Sequence, residues 1–175
     1  MTGTTEPADQ PDGPGDGERR ALAAAAALGL RYRVVRHGPV RSLAEAAEAR
    51  GVTPAAVVKT LVVRRGDDDF LLVLVPGDRE ISWPDLRGLL GVNRLSMPDA
   101  AAARDATGYE RGTITPLGSL RAWPVVADAS LTGAGEVSIG AGAHGVAVVV
   151  DADELLEAVD ARVADVTTGP DSPGT

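Results

Sequence analysis

The chain has 175 residues, of which 44% are apolar and only 3% aromatic, with no cysteine, two histidines and a net charge of -8. That length and apolar share fit one domain with an aliphatic core, and the lack of cysteine excludes disulfides, thiolate catalysis and cysteine-ligated zinc. His37 and His144 alone cannot build a histidine-rich metal site, and Tyr32, Phe70, Trp83, Tyr109 and Trp123 are too few to stack a run of unpaired bases.

Residues 1–18 carry five acids and no basic residue, amid proline and glycine. This composition predicts a disordered acidic tail, with a single domain over residues 19–166 and a second frayed tail over 167–175. Met1-Thr2-Gly3-Thr4-Thr5-Glu6 lacks the basic start and apolar core of a signal peptide. The alanine-rich stretch of residues 21–30 is too short to span a bilayer. A cytoplasmic location is expected, with no membrane partner.

Residues 18–28 predict a helix with an alanine face, stopped by Gly29. Residues 31–36 predict a strand, within a basic stripe of Arg31, Arg33, Arg36, His37 and Arg41. Ser42-Leu43-Ala44-Glu45 is a capping box, so a helix should run to Arg50 and end at Gly51. Thr53-Pro54 opens a short helical turn. Residues 57–65 and 70–75 predict two strands joined at Gly66-Asp67-Asp68-Asp69, an antiparallel hairpin at the sheet centre. Further on come a helix over 84–90, a strand over 92–97 and a helix over 98–107 ended by Gly108. Strands are expected over 124–127, 136–139 and 145–150, then a helix from Asp151 and an edge strand over 163–166. Strands and helices do not alternate regularly. The fold class expected is therefore α+β, with a mixed, largely antiparallel sheet flanked by short helices.

Lys59 is the only lysine, against sixteen arginines, and it lies in Val57-Val58-Lys59-Thr60-Leu61-Val62-Val63. A charge in such a run is costly to bury. It either points outward from a half-exposed strand or serves a site. A second unusual stretch is Gly108-Tyr109-Glu110-Arg111-Gly112-Thr113-Ile114-Thr115-Pro116-Leu117-Gly118. Glycines there let a ligand approach the main chain, and successive N–H groups can converge on an anion or a polarised carbonyl. A third is the turn Gly140-Ala141-Gly142-Ala143-His144-Gly145, which a tight hairpin also explains.

The order and spacing of these three stretches resemble the YbaK/EbsC family, whose relatives include the editing domain of bacterial prolyl-tRNA synthetases. The resemblance covers residues 25–166. It implies trans-editing: hydrolysis of the ester joining a wrong amino acid to the 3′ end of a tRNA, most simply a proline-type tRNA. It carries the catalytic pocket onto Lys59, Gly112, Thr113, Ile114, Thr115 and Pro116, and substrate contacts onto Thr60, His37, Gly142 and His144. It implies no cofactor, no metal and no DNA partner. The implied partners are the aminoacylated tRNA end and a prolyl-tRNA synthetase or elongation factor. Loop N–H groups would polarise the ester carbonyl and Lys59 would hold a phosphate or the developing charge, so no side-chain nucleophile is required. The chain departs from cysteine-clearing relatives at Val35 and Ala147, which stand where those relatives have an aromatic residue and an acid. The resemblance therefore reaches a general deacylase, not cysteine specificity. The reading from another class is a non-catalytic module that binds tRNA ends or a small ligand.

Overall fold

The computed structural model describes residues 15–169. Helix α1 (Asp16–Ala27) turns Ala21 and Ala25, both fully buried, into the core. After it come β1 (Tyr32–Arg36) and α2 (Leu43–Arg50), which starts on Ser42, whose hydroxyl accepts from Glu45 N. A single 3-10 turn (Pro54–Ala56) leads into β2 (Val57–Gly66) and β3 (Asp69–Pro76). Beyond them lie β4 (Glu80–Ile81), α3 (Trp83–Leu90), α4 (Ala100–Thr107) and β5 (Val125–Asp128). The chain then forms β6 (Glu136–Gly140), β7 (Val146–Asp151), α5 (Ala152–Ala158), β8 (Arg162–Ala164) and β9 (Thr167–Thr168).

Seven strands form one sheet in the order β1-β7-β6-β2-β3-β5-β8, and β4 pairs with β9. The antiparallel junctions are long, running the whole length of β1–β7, β7–β6 and β2–β3. The parallel junctions are short: β2–β6 pairs only Val57 and Val58, and β3–β5 and β5–β8 each pair three residues. This is the expected mixed α+β sheet, with the β2–β3 hairpin at its centre. Period-two alternation splits its strands between two cores. Val58, Val62, Leu72, Leu74 and Ile139 face α1, α4 and α5. Val63, Leu71, Val73 and Val75 face Leu86 of α3 and Val166. Each such side chain contributes about 1.5–3 kcal/mol by leaving water.

Several expectations need correction. Residues 92–97 form no strand; Ser96 alone pairs, with Arg64, before the chain turns at Pro98. The following helix starts at Ala100, because Asp99 is its cap and accepts from Ala102 N at 2.8 Å. The acidic tail expected over 1–18 is shorter at its end: residues 16–18 belong to α1 and Glu18 is buried in an ion pair with Arg36. The part of that expectation covering residues 1–14 lies outside the described residues. A second tail is expected from 167, yet Thr167 and Thr168 form β9 against Ile81 and Glu80. These two-residue strands carry no periodic signal, so only tertiary pairing reveals them. Residues 170–175 lie outside the described residues. Among the described residues no helix is long and apolar enough to cross a membrane.

Candidate active site

β2 pairs with β3 along its length, but its other edge is covered only at its ends. β6 covers Val57 and Val58, and Ser96 meets Arg64. Among the described residues, 59–63 are left with an open edge. Arg64 exchanges both its peptide groups with Ser96, at 2.7 and 3.1 Å. Peptide groups alternate sides along a strand, so those of Thr60 and Val62 point into the same gap. A cleft of about 660 Å³ occupies it. Val57, Val58, Val62, Ala103 and Ile114 make it largely apolar, and Lys59, Arg50 and Arg111 are its basic lining residues. Among the described residues Asp99 is the one acid in its wall, and its carboxylate caps α4.

Lys59 is half-buried and shares a sheet face with Leu61 and Val63. Its Nζ donates to the carbonyl of Arg79 at 2.8 Å, and among the described residues no carboxylate pairs with it. The Arg79 turn is fixed in its own right. Arg79 Nε donates to Thr167 Oγ1 at 2.6 Å, its Nη2 to Thr167 O at 3.1 Å, and its Nε lies 3.7 Å from Asp128 Oδ2. Asp128 is buried and also accepts from Ser130 N, Ser130 Oγ and Val166 N. Burial alone would raise its pKa; the hydrogen bonds from Ser130, Thr167 and Val166 outweigh this and hold it below the ordinary aspartate value. The β4–β9 pair missed by sequence reading therefore anchors the turn that receives Lys59.

The glycine loop splits into wall and support. Gly112 and Ile114 line the cleft. Their N–H groups donate to no acceptor among the described residues. Thr113 and Thr115 are buried and hold the loop: Thr113 N and Oγ1 donate to Glu110 O, and Thr115 Oγ1 accepts from Leu117 N. Pro116 is half-buried and is not part of the cleft wall. Gly112 has φ of +90°, a conformation that favours glycine. Helix α1 grips this loop from behind. Arg20 donates to Gly108 O and Gly118 O and stacks over the Tyr109 ring at 4.6 Å. The Tyr109 hydroxyl donates to Leu117 O at 2.6 Å, and burial pushes its pKa up.

Thr60 lines the cleft, and its Oγ1 is buried without a partner among the described residues. Gly142 is not in the cleft wall; it packs against Gly17 and Tyr109 while its N–H donates to Thr113 O. His144 is exposed, lies beside Gly112 and sits 3.8 Å from Glu110 Oε2. His37 also stands behind the wall. Its Nδ1 donates to Gly38 O at 2.8 Å and its Nε2 accepts from Arg50 Nε at 3.4 Å. Sequence reading missed Arg50 and Arg111 altogether. Arg50 ends a helix just before a glycine stop, where an arginine is expected to answer the helix dipole, so nothing marked it out. Val35 and Ala147 prove to be cross-strand partners, and Ala147 also stands opposite Gly140 of the cleft wall. Among the described residues no three histidine or carboxylate side chains are grouped closely enough to hold a metal.

Residues 37–158 match the model of the aminoacyl-tRNA editing domain family. The matched span contains the sheet centre, both strands beside the gap and the glycine loop, and the chain belongs to that family. Within it, the chain falls in the group of the YbaK and EbsC proteins. It is 23% identical over 122 residues to the EbsC protein of Enterococcus faecalis, named a candidate Cys-tRNA(Pro)/Cys-tRNA(Cys) deacylase, covering 70% of this chain and 74% of that one. It is 36% identical over 131 residues, or 74% of its length, to the proline–tRNA ligase of Desulfovibrio desulfuricans, and 36% identical over 80 residues, or 46% of its length, to that of Thermosipho africanus. It spans only 21% and 14% of those two ligases. A crystal structure of a candidate trans-editing enzyme for prolyl-tRNA synthetase superimposes with a TM-score of 0.79 at 28% identity, covering 88% of this chain and 98% of that one.

Proposed function

We propose that this protein hydrolyses the ester bond of a mischarged tRNA in trans, with a proline-type tRNA as the carrier. The observation that carries this reading is the gap beside β2. Lys59 and the unclaimed N–H groups of Gly112 and Ile114 border one apolar cleft there, inside the span that matches the editing family. An aminoacyl ester is activated, and water suffices as nucleophile once the carbonyl is polarised. In this mechanism the loop N–H groups donate to the carbonyl oxygen as it gains negative charge. Lys59 adds its positive charge, which is worth more in a partly dry cleft than in water. The vicinal ribose hydroxyl orients the water. The C–O bond to the ribose breaks, the ribose oxygen takes the proton that water gives up, and free amino acid and intact tRNA leave.

The apolar wall suits the side chain of a small aliphatic amino acid. The Val35–Ala147 pair places no polar group near the Gly140 end that would select a thiol. The test is a deacylation panel, in which purified protein is mixed with tRNA-Pro charged with alanine, cysteine or proline and with other mischarged tRNAs. Release of amino acid from at least one mischarged tRNA is expected. Binding of tRNA ends without any release would replace the hydrolase with a binding module.

A further inference from the structure

Several arginines elsewhere on this molecule are matched to acids. Arg31 pairs with Glu154, Arg36 with Glu18, Arg64 with Asp67 and Arg65 with Asp69. Arg50 is different. It is half-buried in the cleft wall, and among the described residues no carboxylate pairs with it. Its two polar contacts are neutral: Nε donates to His37 Nε2 at 3.4 Å, and Nη1 donates to Ser138 Oγ at 3.3 Å. Because His37 Nδ1 serves Gly38 O, the ring presents a lone pair at Nε2, and that lone pair holds the guanidinium. Nη2 has no acceptor among the described residues. Burial pulls the Arg50 pKa below the ordinary arginine value, a sign of charge partly stripped of water. A desolvated cation without a counter-ion is costly to keep, and an anionic ligand would relieve the cost. The guanidinium fork matches phosphate oxygens.

We propose that Arg50 binds the phosphate on the 5′ side of the terminal tRNA adenosine, held for that purpose by His37 and Ser138. This rests on the deacylase reading. In an aminoacyl-tRNA the carboxyl group is esterified and carries no charge, so the terminal phosphate is the anion nearest the scissile bond. Lys59 lies on β2, the strand next to the β6 that carries Ser138, and is left to the ester. The phosphate contact also gives the cleft a means to tell a nucleotide ester from other small esters.

The experiment compares two small substrates that differ only in this phosphate: the 3′-aminoacyl ester of adenosine and that of adenosine 5′-monophosphate. For the native protein, kcat/KM should favour the phosphorylated ester by about 10-fold or more, the size expected of a charge-assisted contact. The ratio should fall toward one in Arg50→Gln and be partly kept in Arg50→Lys, which also serves if the glutamine variant fails to fold. In parallel, calorimetry measures binding of adenosine 5′-monophosphate against adenosine, with no turnover required. The native protein should prefer the monophosphate and Arg50→Gln should not. An unchanged ratio in both assays overturns the proposal, and so does an equal loss on both ligands, which would make Arg50 only a structural partner of His37 and Ser138. If the native protein cleaves neither ester, the deacylase reading fails, while the calorimetric preference still decides the role of Arg50.

Discussion

Lys59 shows how one residue can be singled out by sequence and still be misjudged in its energetics. As a lone charge in a valine run, its removal would be expected to relieve strain. The structure instead gives its Nζ a backbone carbonyl, that of Arg79. Lys59→Met should therefore cost about 1 kcal/mol of stability, the net value of a hydrogen bond. It should cost more in rate, about 2–4 kcal/mol or 30- to 1,000-fold in kcat, if the ammonium answers charge in the transition state. Native turnover in a folded variant would remove Lys59 from the mechanism. Asp128 is the second residue of consequence here. Its pKa is depressed on folding from a reference of 3.8, so the stability it contributes is present above that pH and disappears as the pH falls below it toward the folded value. Melting temperature should fall steeply below about pH 4, and Asp128→Asn should flatten that part of the profile. If the two acid profiles run parallel, Asp128 does not hold the Arg79 turn through its charge.

At the scale of elements, the glycine loop was legible as special, but its division of labour was not. Sequence spacing cannot tell that Gly112 and Ile114 face the cleft while Thr113 and Thr115 turn inward. Gly112→Val keeps the N–H but displaces it and adds bulk beside the ester, and should lower deacylation by about 100-fold or more, the range seen when one carbonyl-binding donor is lost. Forcing a β-branched residue to φ of +90° should cost stability by only about 1–2 kcal/mol. Equal rates for the variant and the native protein would free the loop from any part in binding the carbonyl. The start of α1 is the other surprise. Composition predicts that deleting residues 1–17 leaves the fold untouched, yet Gly17 packs directly on Gly142. A Cβ on Gly17 would overlap the Gly142 carbonyl, a backbone atom that cannot swing aside. Gly17→Ala should therefore lower the melting temperature and loosen the Arg20 grip on the loop. Truncation after residue 14 should be far milder than truncation after residue 17. Equal melting of the two truncations would show that the helix start does not brace the site.

Across the whole molecule the puzzle is an acidic protein proposed to bind an acidic ligand. Net charge is -8, yet the cleft carries Lys59, Arg50 and Arg111 against a single acid already committed to a helix cap. Local potential, not net charge, governs approach to such a cleft. With three cations meeting a single-stranded end, the slope of log K against log salt should be about -2. Removing residues 1–14, which hold three of the acids (Glu6, Asp9 and Asp12), should raise tRNA affinity, most visibly at low salt. A salt-independent affinity would mean that apolar contact, not charge, brings the tRNA end to the cleft.

Sequence by itself determined the α+β class, the central hairpin, most helix caps and the two stretches that border the cleft. These are local properties: a period of two in valine-rich runs, a capping serine or aspartate, a glycine stop. Tertiary structure alone decided that residues 92–97 would pair only through Ser96, and so that among the described residues the β2 edge beside Lys59 stays open. It also decided that β4 and β9 would meet and that Arg50 would enter the wall. Each depends on which segment reaches a free strand edge or a buried charge first. That is a contest between distant parts of the chain, and no window of neighbouring residues records its outcome.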